Sequence, residues 1–231
     1  MAGADPVSVR VWDLPTRLFH WLLVSLVAAS LATGKFDSLL GAGTLEWHRR
    51  FGLAILALLL FRLGWGFAGG THARFASFLR GPRAVAGYAK GLLSGRGGEE
   101  TAGHNPLGGW SVAAMLAALA TQAVTGLFLV QEDYFFEGPL AKHVSRAVSD
   151  RLNAIHEANF WVIVALLALH LAAIAYYAIA KRQGLVRAMV TGDKRLAAGR
   201  EGEASRGGSL ATAAAIAIAA GAAAWGLASL A

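Results

Sequence analysis

The chain has 231 residues, of which 56% are hydrophobic and only 15% are charged, a composition more apolar than that of an ordinary soluble domain. It contains no cysteine, which excludes disulfides, iron-sulfur clusters, thiolate zinc sites and covalent c-type haem attachment. The net charge of +7 comes from basic residues placed between apolar runs, which favours membrane topology over a nucleic-acid surface.

The first apolar run covers residues 18–33 and is predicted to be a transmembrane helix. Asp13 or Thr16 is a candidate N-cap, and Pro15 suits a first helical turn. With this start, His20 lies just inside the membrane.

The second apolar run covers residues 48–67, and His48 stands at its entrance on the opposite side of the membrane. A glycine-rich, basic connection over residues 69–109 follows it. Within that connection, residues 82–93 are predicted to form a short amphipathic helix on the membrane surface.

The third apolar run covers residues 110–130 and carries no histidine. Its polar members are Thr121, Gln122 and Thr125. Together with Gly126, they are expected to line a face on which another helix packs.

The fourth apolar run covers residues 159–180, with His156 at its entrance and His170 well inside. The two histidines are 14 positions apart, so at about 100° per residue both project from nearly the same helical face. Their heights differ by about 21 Å at about 1.5 Å per residue. A polar side chain inside lipid is costly and usually functional, and imidazole is a preferred ligand of haem iron. The helix therefore predicts two haems at different depths.

An alanine-rich run over residues 209–231 is predicted to be a fifth transmembrane helix, joined by a linker at 196–208 to a di-haem domain at 1–195. With this topology, 14 Lys and Arg residues fall on the side of the N-terminus and six on the other side. The N-terminus is therefore expected in the cytoplasm and the C-terminus outside. The first apolar run lacks a basic n-region and a cleavage site, so no cleaved signal peptide is expected.

The depth of each histidine along its helix predicts which one shares a haem with each of the two histidines on the fourth helix. His20 is matched in depth with His170 for an inner haem, and His48 with His156 for an outer one. Iron held by two imidazoles has no open position for oxygen or substrate, which favours electron transfer over oxygen activation.

Basic residues at the helix ends are candidates to pair with haem propionates, and glycines are candidates to leave room for the macrocycle. The basic candidates are Arg17, Arg49, Arg50 and Arg151. Gly52, one turn after His48, is the first glycine candidate, and Gly126 is the second. His72, His104 and His143 lie in loops and are expected to be solvated.

Four segments carry a resemblance to a known family: Arg17-Leu-Phe-His-Trp21, His48-Arg-Arg-Phe-Gly52, Gly103-His-Asn-Pro-Leu-Gly-Gly109 and His156-x13-His170. Over about residues 8–195 the chain resembles the bacterial cytochrome b561 family, which is related to the cytochrome b subunits of nickel-iron hydrogenases. The resemblance implies an all-α membrane protein, a four-helix bundle holding two haem b groups that exchange electrons with quinone or a partner protein. The fifth helix departs from that pattern.

The leading hypothesis is a multi-pass protein of the bacterial inner membrane that moves electrons between the quinone pool and a redox partner. The redox partner is expected to be a c-type cytochrome, a hydrogenase or another dehydrogenase. A homo-oligomer and a quinone-linked oxidoreductase activity are both compatible with the sequence. The alternative is a haem-bearing membrane anchor of a hydrogenase-like complex. A histidine-based proton or metal transporter without haem is a third possibility, and no nucleic-acid partner is expected.

Overall fold

The structure, a computed structural model, describes residues 5–36, 39–94, 100–132 and 136–230. Arg96, one of the basic residues counted above, lies outside them. Eight helices run through the described part. They are α1 (Leu14–Lys35), α2 (Thr44–Ala68), α3 (Phe75–Phe78), α4 (Pro82–Leu93), α5 (Pro106–Gly126), α6 (Arg146–Ile179), α7 (Leu185–Thr191) and α8 (Leu210–Ala228).

Five of these helices, α1, α2, α5, α6 and α8, are long and apolar enough to cross a membrane. The prediction of a mostly helical membrane protein with five spans is confirmed at this level. The 34 residues of α6 extend over about 51 Å, well beyond a hydrocarbon core of about 30 Å. Part of α6 therefore continues outside the lipid.

The described residues also form four short strands: β1 (Val7–Arg10), β2 (Val130–Gln131), β3 (Phe136–Glu137) and β4 (Asp193–Leu196). β1 and β4 pair antiparallel, with Val7 opposite Leu196 and Arg10 opposite Asp193. β2 and β3 form a second antiparallel pair. None of these strands was predicted from the sequence.

The described residues divide into two compact units. Unit 1 takes them from residues 1–18, 64–114 and 166–213, and unit 2 from residues 19–63, 115–165 and 214–231.

Unit 1 contains the β1–β4 pair and a small apolar core around it. Its buried members are Val9, Val11, Trp12, Ala102, Ala188 and Leu196. Gly192, between α7 and β4, adopts φ +90°, and its carbonyl accepts the backbone N–H groups of Val11 and Trp12 at 2.8 and 3.0 Å. A Cβ at Gly192 would stand 2.8 Å from the Trp12 carbonyl oxygen, so this turn requires glycine.

Residues 196–208, predicted above as a linker, make specific contacts within unit 1. The Ser205 N–H donates to the Arg10 carbonyl at 2.7 Å, and the Thr71 N–H donates to the Arg206 carbonyl at 2.9 Å. Arg200 Nη1 also donates to the Glu100 carbonyl at 3.0 Å, so the segment is bonded to unit 1 at several points.

Unit 2 contains buried polar contacts between α5 and α6. Asn159 is almost fully buried. Its Nδ2 group donates to the Ala118 carbonyl at 2.9 Å and to Gln122 Oε1 at 2.7 Å. Ser149 Oγ donates to the Phe128 carbonyl at 2.9 Å. Two polar side chains of α6, Asn159 and Ser149, are thus bonded to α5 and to the segment that follows it, which fixes the part of α6 that carries His156.

Candidate functional site

Two histidines from different helices face each other in unit 2. His48, in the second turn of α2, and His156, in the third turn of α6, have ring centroids 6.3 Å apart and planes at 75°. Both side chains are half-buried. The structure thus brings together the two histidines that helical depth matched for an outer haem.

The hydrogen bonds of the two Nδ1 atoms determine which nitrogen of each ring is free. His48 Nδ1 lies 3.0 Å from the Ser30 carbonyl oxygen, which only accepts, so Nδ1 carries the proton. His156 Nδ1 lies 3.0 Å from Thr125 Oγ1, whose own hydrogen goes to the Thr121 carbonyl at 2.7 Å. Thr125 Oγ1 is therefore the acceptor of the His156 Nδ1–H group. In both rings Nε2 keeps its lone pair and is free to bind a metal.

Both histidines line a cavity of about 490 Å³ built from α1, α2, α5 and α6. A volume of this size is typical of cofactor and ligand sites. Most of the lining is apolar, and its polar and charged members are Ser30, Lys35, His48, Arg49, Gln122, Gln131, Asn153, His156 and Glu157.

A haem held between the two rings fits this geometry. Two metal–imidazole bonds of about 2 Å each, together with the ring nitrogen-to-centroid distances, require a centroid separation of about 6 Å. The observed separation is 6.3 Å. Two imidazoles alone fall short of the three or four protein ligands of a zinc site. No cluster of three or more His, Cys, Asp or Glu side chains suited to a bare metal ion occurs in the part of the chain that the structure describes.

Three glycines stand at the wall of the cavity. A Cβ at Gly34 would lie 2.8 Å from His48 Cε1, and a Cβ at Gly126 would lie 3.3 Å from His156 Cε1. A Cβ at Gly52 would meet no protein atom within 4 Å. Gly34 and Gly126 therefore admit the imidazoles, whereas Gly52 leaves open space in the cavity.

The basic residues predicted for propionates occupy different environments. Arg49 lines the cavity and is held by a bidentate pair with Glu46, at 2.9 Å from Nε and 3.0 Å from Nη2. Arg50 also pairs with Glu46, but it is exposed and its guanidinium stacks over Trp47 at 5.0 Å. Lys35, which the sequence analysis did not single out, lines the cavity, and Arg50 does not.

The other two arginines lie elsewhere. Arg151 is exposed on α6 and is not among the residues that line the cavity. Arg17 belongs to unit 1, where Nη1 donates to the Val190 carbonyl at 2.5 Å.

The remaining pair from the sequence analysis is divided between the two units. His20, in unit 2, contacts the neighbouring Trp21 ring edge-on at a centroid distance of 5.0 Å. His170, in unit 1, is half-buried in the C-terminal half of α6. Their pairing stays a prediction from helical depth.

His72 and His104, which were expected to be solvated, are only partly exposed. The His104 ring packs between Trp12 and Phe78, with both centroid distances 4.9 Å. His72 Nε2 lies 2.8 Å from the Glu203 carbonyl oxygen. Both residues sit in unit 1 in contacts that bring together distant segments, which a loop position in the sequence does not reveal. His143 is exposed, as predicted.

The sequence is similar to that of known membrane cytochromes. A family model described as prokaryotic cytochrome b561 matches residues 11–192. A probable Ni/Fe-hydrogenase B-type cytochrome subunit of Rhizobium leguminosarum bv. viciae is 25% identical over 216 residues, which is 81% of this chain and 89% of the relative. A protein of the same description from Rhodobacter capsulatus is 23% identical over 219 residues, or 81% of each chain. Both facing histidines lie inside the matched region.

Proposed function

Because the chain belongs to the prokaryotic cytochrome b561 family, we propose that it carries electrons across the bacterial inner membrane through two haem b groups, between the quinone pool and a redox partner. Membrane electron transfer by haem b is the property of the family. The number of haems, their ligands, the quinone and the partner are the proposal.

The observation that carries the proposal is the facing pair of His48 and His156 with both Nε2 atoms free. When bound, haem supplies a one-electron iron couple. His48 and His156 would hold the iron of a bound haem, and an iron held by two imidazoles would offer no open position to oxygen or substrate. Such a site is suited to electron transfer without bond chemistry at the iron.

The side chains around the pair suit the two parts of a haem. The apolar wall of the cavity would pack against the macrocycle, and Gly52 would leave space for a flat ring. Arg49 and Lys35 are the cations at the cavity that match propionate charges. We assign the second haem to His20 and His170. The depth of His20 is counted from the first residue of α1 and that of His170 from the last residue of α6, and the two depths match.

A hydrogenase-type partner is the first candidate, because two relatives are described as probable cytochrome subunits of Ni/Fe-hydrogenases. In that role the chain is the haem-bearing membrane anchor of the complex and passes electrons to or from quinone. Purification from native membranes tests this role. A stoichiometric hydrogenase-like subunit in the preparation supports it, whereas a self-contained oligomer that oxidises quinol contradicts it.

The proposed haem sites are tested by haem content per chain and by the reduced-minus-oxidised spectrum of the purified protein. We expect two b haems in the unmodified protein and about one in each of His20→Ala, His48→Ala, His156→Ala and His170→Ala. His143→Ala, which removes an exposed loop histidine, is the control and should retain both haems. If the haem-supplied protein showed no b-type spectrum and contained zinc or copper instead of iron, the histidines would be assigned to metal or proton transport.

The proposed orientation places the N-terminus in the cytoplasm, on the side with the larger number of Lys and Arg residues. Reporter fusions at the two ends test it. A cytoplasmic reporter should be active at the N-terminus and a periplasmic one at the C-terminus, and the reverse result would invert the assignment of inner and outer haems.

A further inference from the structure

The dipeptide Thr-Gly stands at the end of both α1 and α5, and each of these two copies contacts one of the facing histidines. Thr33 and Gly34 near the end of α1 contact His48, and Thr125 and Gly126 at the end of α5 contact His156. In each pair the threonine hydroxyl lies beside Nδ1 and the glycine lies against Cε1. The two imidazoles are thus oriented by the same local device on different helices.

The threonine side chains are themselves fixed by the helix that carries them. Thr125 Oγ1 donates to the Thr121 carbonyl at 2.7 Å, and Thr33 Oγ1 donates to the Ala29 carbonyl at 2.8 Å. Both threonines are buried, with exposed fractions of 5% and 2%. Each hydroxyl oxygen is therefore held in one place, with its lone pairs directed to the imidazole.

The two histidines differ in how far they depend on the hydroxyl. The closer acceptor of His48 Nδ1 is the Ser30 carbonyl at 3.0 Å, and Thr33 Oγ1 is 3.3 Å away. For His156 the acceptor with hydrogen-bond geometry is Thr125 Oγ1 at 3.0 Å, although the Gln122 carbonyl faces the same ring. A backbone carbonyl thus supports His48 whatever side chain stands at position 33, whereas His156 relies on a side chain.

We propose that Thr125 is a positioning residue that orients His156 and sets its strength as an axial haem ligand, which rests on the proposed function. When Nδ1, the nitrogen that does not bind the metal, donates a hydrogen bond, that bond fixes the ring orientation and raises the basicity of the ligating Nε2. A more basic ligand stabilises the oxidised iron and lowers the midpoint potential of its haem. The side chain at position 125 therefore tunes one of the two haems.

The test is a potentiometric titration of the purified, haem-loaded protein, with Thr125→Val compared with Thr33→Val. Valine matches threonine in shape but accepts no hydrogen bond. We expect an upward shift of one midpoint potential in Thr125→Val, a smaller shift in Thr33→Val, and a return towards the original value in Thr125→Ser. The low-spin ferric signal of the affected haem in electron paramagnetic resonance should change with Thr125→Val, because the ring is free to rotate.

Two results would overturn the proposal: unchanged potentials in Thr125→Val with both haems bound, or equal shifts in the two valine variants. If Thr125→Val does not assemble, Thr125→Ala and Thr125→Ser provide the same comparison. Full haem content in His156→Ala is a different failure, because it would overturn the proposed ligand itself.

Discussion

A methyl group built on Gly34 would stand 2.8 Å from Cε1 of His48, closer than real Cβ contacts come. The α1 backbone and the imidazole therefore meet without space for a side chain between them.

Substituting Gly34 by alanine should displace the His48 ring and remove about one haem per chain. Gly126→Ala should act in the same direction but less strongly, because its Cβ would lie 3.3 Å from His156 Cε1 and a small shift relieves the contact. Gly221→Ala in α8, where a Cβ meets no atom within 4 Å, is the matched control and should keep both haems. Haem content per purified chain is the measurement, and equal occupancy in all three variants would contradict the steric argument.

At Gly52 a larger side chain is expected to hinder the haem directly, without displacing a histidine. Gly52 lines the cavity and a Cβ there meets no protein atom within 4 Å, so we expect Gly52→Leu to leave the haem-free fold in place and to lower haem binding. Alanine at this helical position should even stabilise the fold by roughly 0.5–1 kcal/mol. Gly221→Leu controls for a bulky residue on a membrane helix. Haem titration of the purified variants measures the effect, and unchanged affinity in Gly52→Leu would place the macrocycle away from Gly52.

Arg49 and Arg50 are neighbours in sequence with different predicted effects on the haem. Arg49 lines the cavity, whereas Arg50 is exposed, and exposed ion pairs contribute about 0–1 kcal/mol to stability. Removing a cation beside the haem favours the oxidised iron, so Arg49→Gln should lower the midpoint potential of one haem. Arg50→Gln should leave both potentials unchanged. Equal shifts in the two variants, in titrations at the same ionic strength, would show that net charge alone is responsible.

The spans and the meeting of His48 with His156 were accessible from sequence because hydropathy locates helices and helical rise locates depth along them. The choice between Arg49 and Arg50 could not be made from the sequence, because it depends on the rotation of α2, which directs only Arg49 to the cavity. The β1–β4 pair was also missed, since each strand has only four residues and Arg10 pairs with Asp193, 183 positions away. The ring contacts of His104 were missed for the same reason, because Trp12 and Phe78 reach it from distant segments.

Asp13 was one of two candidate caps for α1, and the structure shows that it does more than cap. Its carboxylate accepts the N–H of Thr16 at 2.8 Å, the N–H of Gly70 at 3.1 Å and Nε1 of Trp65 at 3.3 Å. Loss of a cap costs about 1 kcal/mol, and a buried donor left without a partner about 1–3 kcal/mol. Asp13→Ala should therefore destabilise unit 1 by roughly 2–3 kcal/mol.

Thermal unfolding in detergent measures this loss. Asp13→Asn keeps one acceptor oxygen and should lie between the alanine variant and the unmodified protein. Asp150→Ala, which removes an exposed carboxylate paired with Arg146, is the control and should change the midpoint little. If Asp13→Ala were no worse than Asp150→Ala, the three hydrogen bonds would not contribute to stability.

Lys194 makes unit 1 sensitive to alkaline pH. Its amine is buried, donates to the Thr101 carbonyl at 2.6 Å and lies 3.4 Å from Glu100 Oε1. Burial lowers the pKa of Lys194, and the nearby Glu100 carboxylate opposes that shift only in part. The unfolded chain therefore holds this proton more tightly than the folded one.

The contribution of Lys194 to the free energy of unfolding follows from this difference in proton affinity between the folded and unfolded chain. Below the lowered pKa of the folded state, the cost of burying the charged amine is present in full. As the pH rises from that pKa towards the ordinary lysine value of about 10.4, the cost is relieved. Relative to Lys194→Met, the unmodified protein should thus become more stable over this alkaline range. Thermal midpoints measured from neutral to alkaline pH test the prediction, with the exposed Lys142→Met as the control for a lost charge. Parallel curves for the unmodified protein and Lys194→Met would show that the amine ionises equally easily in both states.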